Sequence, residues 1–393
     1  MGTLSTEVAI QACQNIVRAQ VSADNAADAV QALGSALRAD TAELVVFFCS
    51  PSYSWTDVAQ AWAQWGVHAP VVGCTTAGEM GPQGYRQGSL TGFSLPSGTF
   101  SAVSRCIGPL ADWDHGAGHA HVQPLLQALE TKAPGVHAGN TFALLWMDGL
   151  SGQEEVVTRS LQAALGGIPL VGGSAGDGLR FQRSGVFHGG RFLADHAVLT
   201  LVSTTRPFRA FMAQEFTALP DRVVVTAADP KRRVVHEIDG YPAATAYARL
   251  TGVDPSDLGP AHFARFPLVV VIGGMNHVRS VSKALPDGSL RFFCAIDEGM
   301  VLHVGQAGDV LGNLRQTLDA VRADLGEEAL TLGCDCILRR LHQEETGVLP
   351  QVADLLEAHR TVGFSTYGEQ FRGIHVNQTF TGIAIGCVQD TTP

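Results

Sequence analysis

The sequence predicts an α/β fold of mixed α+β character, with repeated βαβ units in mixed sheets and an antiparallel meander in the C-terminal domain. One strand–helix–strand arrangement recurs three times, and short strands alternate with turns between the second and third copies. A third observation locates the repeats, because 44 of the 393 residues are glycine, about 11% against a norm of roughly 7%. The glycines that define the repeat follow the second strand of each copy.

The three copies share an apolar strand, an amphipathic helical stretch and a second apolar strand that ends in a turn of small residues. Such a βαβ unit places its two strands parallel, with a right-handed crossover. A further apolar strand follows each copy, at residues 90–95, 197–202 and 381–385. The first strands and their helices span residues 44–49 with 56–65, 142–147 with 154–165, and 329–338 with 350–358.

Each copy closes on a hydroxyl residue, one spacer, a glycine and an acid. Glycine suits a tight turn, and a neighbouring hydroxyl can bond the freed amides. Ligands of open α/β sheets bind outside the carboxyl ends of the strands, where these turns should lie. We therefore expect the turns to form a polar pocket, in one shared cleft or in three. The third turn is the main candidate, and the secondary pocket candidates in the other two are Thr76, Gly78, Glu79, Ser174, Gly176 and Asp177.

Between the second and third copies the pattern changes to short strands separated by turns, which predicts the meander. A turn and a strand are predicted over 229–238, followed by a helix from Pro242 to about Leu250. The strands of the meander are predicted at 268–272, 278–282, 290–295 and 300–304, and a helix over 309–325 follows them. The periodicity breaks at residues 227–231, near the expected main boundary. We expect an N-terminal helix or extension over 1–29, an N-terminal domain over 30–232 with repeats at about 40–105 and 140–205, and a C-terminal domain over 233–390.

The composition narrows the function classes. With 37 acidic and 26 basic side chains the formal net charge is -11, so nucleic acid is not an expected partner. Residues 1–10 carry no basic stretch before an apolar one, and the apolar runs are far shorter than the roughly 20 residues of a membrane helix. Eight cysteines, most of them in apolar segments, fit reduced thiols better than a disulfide framework. We therefore expect a cytoplasmic protein without membrane insertion.

Several motifs, in order along the chain, resemble the FIST family, whose members carry an N-terminal and a C-terminal FIST domain. The glycine-acid turns at 73–79 and 172–177 and the connector at 237–243 carry the resemblance over the first half. The later motifs are Val278-Arg279, Cys336 with Arg339 and Arg340, residues 363–369, and Asn377-Gln378-Thr379. The resemblance covers about residues 30–388. It implies a sensory protein that binds a small molecule, with amino acids as the proposed ligands.

The same resemblance implies an output partner. Proteins of this family pass their signal to a histidine kinase, a diguanylate cyclase or a chemotaxis protein. We expect no fused output domain, because the segments before residue 30 and after residue 388 are short, so the partner would act in trans; a homo-oligomer is also compatible with the sequence. A subset of the family resembles the haem-containing nitric oxide sensors of the NosP type, which makes haem an alternative cofactor. A scaffold that binds only protein is the second alternative.

For an amino-acid ligand we expect a site in the C-terminal half. Its predicted contacts are Arg279, Thr366, Tyr367, Gly368, Glu369, Asn377 and Thr379. Arginine offers a fork of donors to a carboxylate, glutamate can pair with an ammonium group, and asparagine and threonine supply both donors and acceptors. The alternative interpretation is that Arg279 and Glu369 form a structural ion pair and that Asn377 caps a strand end.

A haem would need one axial histidine inside an apolar pocket. The candidates are His188, His277 and His375, which lie on or beside predicted strands. No group of side chains has the spacing of a complete metal site, so we expect no bound metal ion.

An enzyme is the remaining class of function. Cys74 and Cys294 lie near polar turns and could act as nucleophiles with a histidine as the base. The sequence has neither a Walker loop nor a His-Glu-x-x-His helix, and the acid in the glycine loop at 172–178 would oppose a pyrophosphate. We therefore expect a protein without catalytic activity.

Overall fold

A computed structural model describes residues 6–66, 69–114, 116–272 and 274–387 of the chain. In these residues, three mixed sheets contain the three repeats, and a further antiparallel sheet is formed by residues 216–307. We call residues 6–215 and 308–387 the repeat core, and residues 216–307 the β-domain. This arrangement confirms the predicted α/β class with mixed sheets and a C-terminal meander.

The helices and strands follow one another along the chain in three groups. The first group contains strands β1 (Glu7–Cys13), β2 (Ile16–Ser22), β3 (Ala42–Cys49), β4 (Val71–Thr75), β5 (Glu79–Gly81), β6 (Gly84–Arg86), β7 (Leu90–Pro96), β8 (Phe100–Ile107), β9 (Thr141–Asp148), β10 (Leu170–Ala175), β11 (Val186–His188), β12 (Arg191–Leu193), β13 (Ala197–Thr204) and β14 (Phe208–Ala213), with helices α1 (Ala26–Ala36), α2 (Trp55–Trp65), α3 (Ala117–Lys132) and α4 (Glu154–Leu165). The β-domain contains β15 (Phe216–Asp229), β16 (Val234–Ile238), β17 (Tyr241–Pro242), α5 (Ala243–Thr251), α6 (Pro260–Arg265), β18 (Leu268–Ile272), β19 (Met275–Arg279), β20 (Val281–Ala284), β21 (Leu290–Phe292) and β22 (Val301–Ala307). The last group contains α7 (Val310–Leu325), β23 (Glu328–Cys336), α8 (Ile337–Glu345), α9 (Leu349–Ala358), β24 (Thr361–Thr366), β25 (Glu369–Phe371), β26 (Ile374–Val376) and β27 (Phe380–Gly386).

Each repeat has the same strand order. Its first strand pairs in parallel with the second and antiparallel with the third, which gives β7-β3-β4, β13-β9-β10 and β27-β23-β24. The first strands are covered on both faces, so β3 and β9 are largely continuous apolar runs, whereas β23 is equally buried but includes Thr331 and Asp335. The helix of the first repeat begins at Ser54, whose side chain accepts a hydrogen bond from the Asp57 amide, and ends at Gly66 in the left-handed conformation.

The hairpin that follows the second strand of each repeat leaves its own sheet and joins another. Strand β5 pairs with β24, β11 pairs with β4, and β25 pairs with β10. The hairpin of the first repeat therefore extends the sheet of the third, that of the second extends the sheet of the first, and that of the third extends the sheet of the second. As a result, the three turns at the carboxyl ends of β4, β10 and β24 are drawn together.

The three sheets enclose one central hydrophobic cluster. Each sheet contributes one buried aromatic ring to its centre, and the centroid of Phe48 lies 4.6 Å from Phe364 and 5.3 Å from Trp146. Helices α1 and α2 cover the outer face of the first sheet, and α3 and α4 cover that of the second. The repeat core thus has layers of helix outside and sheet inside.

The β-domain is inserted between β14 and α7, before the first strand of the third repeat. Its strands form an antiparallel, nearly barrel-like sheet in the order β19-β18-β22-β15-β16-β21-β20, around a hydrophobic cluster of its own. The chain enters and leaves at one place, because the Gly308 amide donates to the Glu215 carbonyl at 3.0 Å. The boundary predicted between residues 232 and 233 lies between the paired strands β15 and β16, inside this sheet, because the sequence signals there mark a turn of a hairpin.

Of the N-terminal helix or extension expected over residues 1–29, residues 7–22 form the hairpin β1-β2 in place of a helix, and the first helix begins at Ala26. The hairpin turn at Gln14 and Asn15 has positive φ angles, a conformation that asparagine tolerates. Residues 1–5 and 388–390 of the predicted domains lie outside the described residues. No helix in the described ranges is long and apolar enough to cross a membrane.

Candidate functional site

The three glycine turns meet at one place and hydrogen-bond to one another in a repeating pattern. The amides of Ala77, Gly176 and Tyr367 donate to the carbonyl groups of the neighbouring turns, on Ser365, Thr75 and Ser174 respectively, at 2.9–3.1 Å. The three turns themselves therefore form a single buried centre and not three separate ones.

Strand pairing shows that the acid of the second turn is not equivalent to the other two. In β24, Phe364 pairs with Glu79, and in β10, Gly173 pairs with Glu369. Cys74 occupies the same position in β4, but its partner is Val186 and not Asp177. Relative to the first and third repeats, the second repeat therefore contains an additional loop of residues 177–185. The predicted equivalence of Asp177 with the two glutamates is wrong, because the similar local sequence precedes this extra loop.

Glu79 and Glu369 have matching roles within the fold. The carboxylate of Glu369 accepts hydrogen bonds from the Thr366 hydroxyl and from the Thr379 amide and hydroxyl, at 3.2 and 2.7 Å for the latter two. Glu79 accepts from the Thr76 hydroxyl and from the Ser89 amide and hydroxyl. Burial raises the pKa of Glu369 to about 8 and that of Glu79 to about 7, against the lowering effect of these hydrogen bonds. Each acid therefore connects its turn by hydrogen bonds to the residue that precedes the third strand of its repeat, Ser89 before β7 and Thr379 before β27.

Asp177 instead organises the 177–185 loop. Its carboxylate accepts hydrogen bonds from the amides of Phe181, Gln182 and Arg183 at 2.8–3.0 Å and from the Tyr367 hydroxyl. Burial favours a higher pKa for Asp177, but these hydrogen bonds outweigh it and hold the pKa below its usual value. The loop is therefore fixed to the third turn by a charged anchor.

Two cavities adjoin this loop at the carboxyl ends of the parallel strands. The larger, which we call the cleft, has a volume of about 650 Å³ and lies between the repeat core and the β-domain. The second cavity, of about 460 Å³, lies between the first turn and α8 and is lined in part by Gly78, Glu79 and Arg340. Leu179 and Arg180 line both, so the 177–185 loop separates them.

Cations dominate the polar lining of the cleft, in a chain whose net charge is -11. None of the described residues lining it is Asp or Glu. Lys283 and Arg291 lie directly opposite each other on β20 and β21, an arrangement that destabilises a strand pair when no anion separates the charges. The basic lining residues are Arg180, Lys231, Arg232, Arg233, Lys283 and Arg291.

Within the described residues, two of these cations have carboxylate partners. Arg233 contacts Glu154 and Glu155, both at 2.5 Å, and donates to the Phe293 carbonyl at 2.6 Å. Arg180 lies 4.0 Å from Asp177 with its side chain largely exposed. The other four make no ion pair with any residue in the part of the chain that the structure describes, so their charges are available to a ligand.

Aromatic side chains form the floor of the cleft. The Phe181 ring from the 177–185 loop lies 5.4 Å from Phe293 of the β-domain, and both contact Tyr367 of the third turn behind them. The Tyr367 hydroxyl oxygen, whose hydrogen bonds the Asp177 carboxylate, also lies 2.9 Å from the Gly178 carbonyl oxygen. The floor therefore couples the third turn, the loop and the β-domain.

The seven predicted ligand contacts lie behind this floor, and none of them lines either cavity. Arg279 is near His375, and Asn377 donates to the Tyr367 carbonyl at 3.5 Å. The ion pair considered between Arg279 and Glu369 is not formed in the described chain, since Glu369 has its partners in Thr366 and Thr379. Direct contact of the seven residues with a ligand stays a prediction.

The secondary candidates divide between the second cavity and the turn centre. Gly78, Glu79 and Asp177 line the second cavity, whereas Thr76, Ser174 and Gly176 are enclosed in the turns. At Gly78, a Cβ atom would lie 2.0 Å from Nη1 of Arg340, so only glycine allows this arginine to reach the Ala77 carbonyl at 3.2 Å.

Sequence reasoning missed the cations of the cleft. The available signal was the run Lys231-Arg232-Arg233, three basic residues in succession in a chain with only 26. Lys283 and Arg291 gave no such signal, because their proximity depends on the register of β20 with β21.

The three candidate histidines do not fit a haem site as they are placed. None of them lines either cavity. His375 is buried, which lowers its pKa to about 4, and the Gly368 backbone lies against its ring, with an added Cβ only 2.2 Å from Cε1. His188 and His277 are half-buried, with burial lowering the pKa of each. Within the described residues, no group of three or more His, Cys, Asp or Glu could hold a metal ion.

The candidate nucleophiles are enclosed. Cys74 and Cys294 are buried, and burial raises the pKa of both thiols, that of Cys294 to about 11. Ser174 has the Gly-x-Ser-x-Gly spacing of a nucleophile elbow within residues 172–176. It is also buried, at the end of β10, and its hydroxyl accepts from Gln370 at 2.8 Å.

A cavity lined by cations and aromatic rings at the carboxyl ends of parallel strands is typical of small-ligand sites in α/β proteins. The FIST N domain model matches residues 43–241 and the FIST C domain model matches residues 243–372. The chain therefore belongs to the FIST family, whose domains are small-ligand-binding sensory domains of signalling proteins, and the resemblance found in the turn motifs is confirmed.

Other comparisons add little. No curated protein matches the chain. Among solved structures, a cyanuric acid hydrolase matches with a TM-score of 0.34 and 10% identity, over 97% of this chain and 100% of that chain. A likeness this weak carries no argument about the function of this protein.

Proposed function

We propose that this protein is a sensor whose small-molecule ligand binds in the cleft between the repeat core and the β-domain. The observation that carries the proposal is the set of basic residues that converge on the cleft without an acidic residue in the described lining. Cations in such a site favour a ligand that bears a carboxylate or another anionic group. The aromatic floor would contact the apolar part of the ligand.

An amino acid satisfies this requirement through its carboxylate group. The predicted pairing of its ammonium group with Glu369 has no support in the geometry, since Thr366 and Thr379 already bond that carboxylate. We therefore propose that the anionic group of the ligand supplies most of the affinity.

Signalling follows from the position of the cleft between two units. Residues 149–152 and 179–181 belong to the repeat core, whereas residues 231–233, 282–284 and 291–293 belong to the β-domain. A ligand that contacts both units stabilises the arrangements in which they are close together, and so shifts the population of conformations. We propose that a separate histidine kinase, diguanylate cyclase or chemotaxis protein in the cytoplasm reads this shift, and that this protein catalyses no reaction.

The experiment is a thermal-shift screen followed by calorimetric titration. Its panel contains amino acids, the matching carboxylic acids without the ammonium group, phosphate esters and inorganic phosphate. A ligand at a hundred times its Kd should stabilise the protein by about 2.7 kcal/mol. Equal affinity for an amino acid and its matching carboxylic acid is expected. Tenfold preference for the amino acid would restore the zwitterion hypothesis.

Variants localise the binding. The double substitution Lys283→Gln with Arg291→Gln should weaken binding of the ligand found by about tenfold or more, because charge-assisted hydrogen bonds are lost. Arg222→Gln removes an exposed cation of the β-domain outside the cleft and is the matched control. Equal loss in both variants would indicate general electrostatic attraction and would count against the cleft.

Haem requires a separate measurement on the same preparation. We expect no Soret band that depends on His375 after haem is added, since the Gly368 backbone blocks the ring. A band that is present in the natural protein and lost in His375→Ala would overturn this expectation and support the haem alternative.

A further inference from the structure

Two cysteines from opposite ends of the described chain meet at the end of the repeat core that is remote from the cleft. Cys13 ends β1, and Cys387 follows β27, which runs from the turn centre to this far end. Their sulfur atoms are 3.4 Å apart, although the residues are separated by 374 positions. Both residues are partly exposed, so a small reagent can reach them.

This pair differs from the other cysteines. Cys49, Cys74, Cys294, Cys334 and Cys336 are buried, and Cys106 is partly exposed. No second pair has its sulfur atoms in hydrogen-bond contact in the ranges that the structure describes. Two adjacent thiols, unlike a lone one, can form a disulfide bond within the molecule.

Two arginines surround the pair. Nη1 of Arg360 lies 4.0 Å from the Cys387 sulfur, and Arg206 is held beside Cys13 by hydrogen bonds of 3.0 and 2.8 Å to the side chain and carbonyl of Gln14. Both guanidinium groups interact electrostatically with both cysteines. Burial and the hydrogen bond with Cys13 nevertheless raise the pKa of Cys387 to about 11. The cations therefore stabilise a thiolate that forms only in a small fraction of molecules at neutral pH.

We propose that Cys13 and Cys387 are an oxidisable dithiol site, which a hydroperoxide converts into an intramolecular disulfide. One thiolate attacks the peroxide, its sulfur–oxygen bond forms as the oxygen–oxygen bond breaks, and an alcohol or water leaves. The second thiol then attacks the sulfenic acid, the sulfur–sulfur bond forms, and water leaves with the remaining proton. Overall, two thiols are oxidised and one hydroperoxide is reduced.

The geometry needs only a small adjustment. A disulfide has a sulfur–sulfur distance of about 2.05 Å, so the two sulfur atoms must approach from 3.4 Å. The bond would connect the N-terminal hairpin in the first sheet with the end of β27 in the third. It would close almost the whole described chain into one loop and so restrict the unfolded state.

The test uses the full chain treated with hydrogen peroxide and digested without reduction. We expect mass spectrometry to find a peptide that joins Cys13 to Cys387, two hydrogen atoms lighter than the separate peptides, and titration under denaturing conditions to find two fewer thiols. Cys106→Ser should form the same bond, whereas Cys13→Ser and Cys387→Ser should not. The oxidised natural protein should also show an apparent Tm higher by about 2–10 °C, reversed by a reducing agent.

Several results would overturn the proposal. These are a disulfide between two copies of the chain, a different intramolecular pair, or conversion of Cys13 and Cys387 to sulfinic acids without a bond between them. Unchanged thiols after peroxide exposure sufficient to oxidise Cys106 would also overturn it. If Cys13→Ser fails to fold, the comparison of Cys387→Ser with Cys106→Ser still decides the outcome.

Discussion

Glu369 is a predicted ligand contact, and in the structure its side chain is hydrogen-bonded within the third repeat. The carboxylate bonds to Thr366 and Thr379, and the same pattern recurs at Glu79 with Thr76 and Ser89. An acid ten residues before a hydroxyl residue is the sequence signal of this fastening. The sequence predicted that Glu369 lies in a turn, but not which groups bond to its carboxylate. A buried acid with local partners and an acid in a pocket have the same local sequence.

The raised pKa of Glu369 has a consequence for stability that depends on pH. Since the folded-state pKa is about 8 against an ordinary value of 4.5, the folded protein keeps a proton that the unfolded chain releases between these values. The contribution of this residue to stability therefore falls as the pH rises from 4.5 to 8, by at most about 1.4 kcal/mol per pH unit. Glu369→Gln should remove this dependence, because glutamine can bond Thr366 and Thr379 without a charge.

Urea unfolding at pH 5, 6.5 and 8 measures this effect. The free energy of unfolding of Glu369→Gln relative to the natural protein should increase with pH. Glu237→Gln changes an exposed acid on β16 and should leave the pH dependence unchanged. A constant difference between Glu369→Gln and the natural protein over this range would contradict the prediction.

At the scale of elements, the 177–185 loop distinguishes the second repeat from the other two. The sequence indicated three equivalent turns, and the turns do occupy equivalent places through the amides of Ala77, Gly176 and Tyr367. The loop itself was not predicted, because Asp177 follows Gly176 just as Glu79 follows Gly78 and Glu369 follows Gly368. Only the pairing of β11 with β4 shows that Val186 occupies the position of the glutamates. The cleft depends on this departure from symmetry, since the loop provides part of its lining.

Asp177→Asn should loosen the loop and weaken ligand binding at the cleft. Asparagine has one acceptor oxygen for three backbone amides and the Tyr367 hydroxyl. The expected loss of stability is about 1–3 kcal/mol at neutral pH. Because the folded-state pKa of Asp177 is depressed, the natural protein loses this advantage as the pH falls through that pKa.

Hydrogen exchange of the amides in residues 178–185 and calorimetry of the ligand measure the two effects. Faster exchange confined to this loop and lower affinity are expected together. Asp221→Asn, at an exposed site of the β-domain, is the control. Unchanged exchange in the loop of Asp177→Asn would show that the carboxylate does not hold it.

At the scale of the whole molecule, local signals predicted the parts but not their assembly. Glycine turns, helix periodicity and apolar runs located the two parallel strands, the strand that follows them and one helix of each repeat, because these depend on neighbouring residues. Helix α8 was missed, and it begins inside the strand predicted over 329–338. The exchange of hairpins among sheets, and the insertion of residues 216–307 before the third repeat, depend on contacts distant in sequence. The cleft lies between the two assembled units, so most of its lining could not be found from local patterns.

The two units should fold independently of each other. The hydrophobic cluster of the β-domain contains residues of that domain alone, and the central cluster of the repeat core contains none of them. Replacement of residues 216–307 by two glycines should leave a repeat core that unfolds cooperatively, because Glu215 and Gly308 are already hydrogen-bonded. Fully buried Arg339, which contacts Glu215 at 3.3 Å and Asp335 at 2.8 Å, should keep this junction in place.

Circular dichroism melting of the shortened chain measures this prediction, with the β-domain expressed alone as the companion sample. Both should show one cooperative transition, and neither should bind the ligand of the intact protein, because each carries only one side of the cleft. Some loss of core stability is expected from exposure of Ile337, Leu338 and Tyr367, which pack against Ala264 and Phe293 of the β-domain. A repeat core without a cooperative transition would show that the β-domain is required for folding, and retained affinity would place the ligand in the second cavity instead.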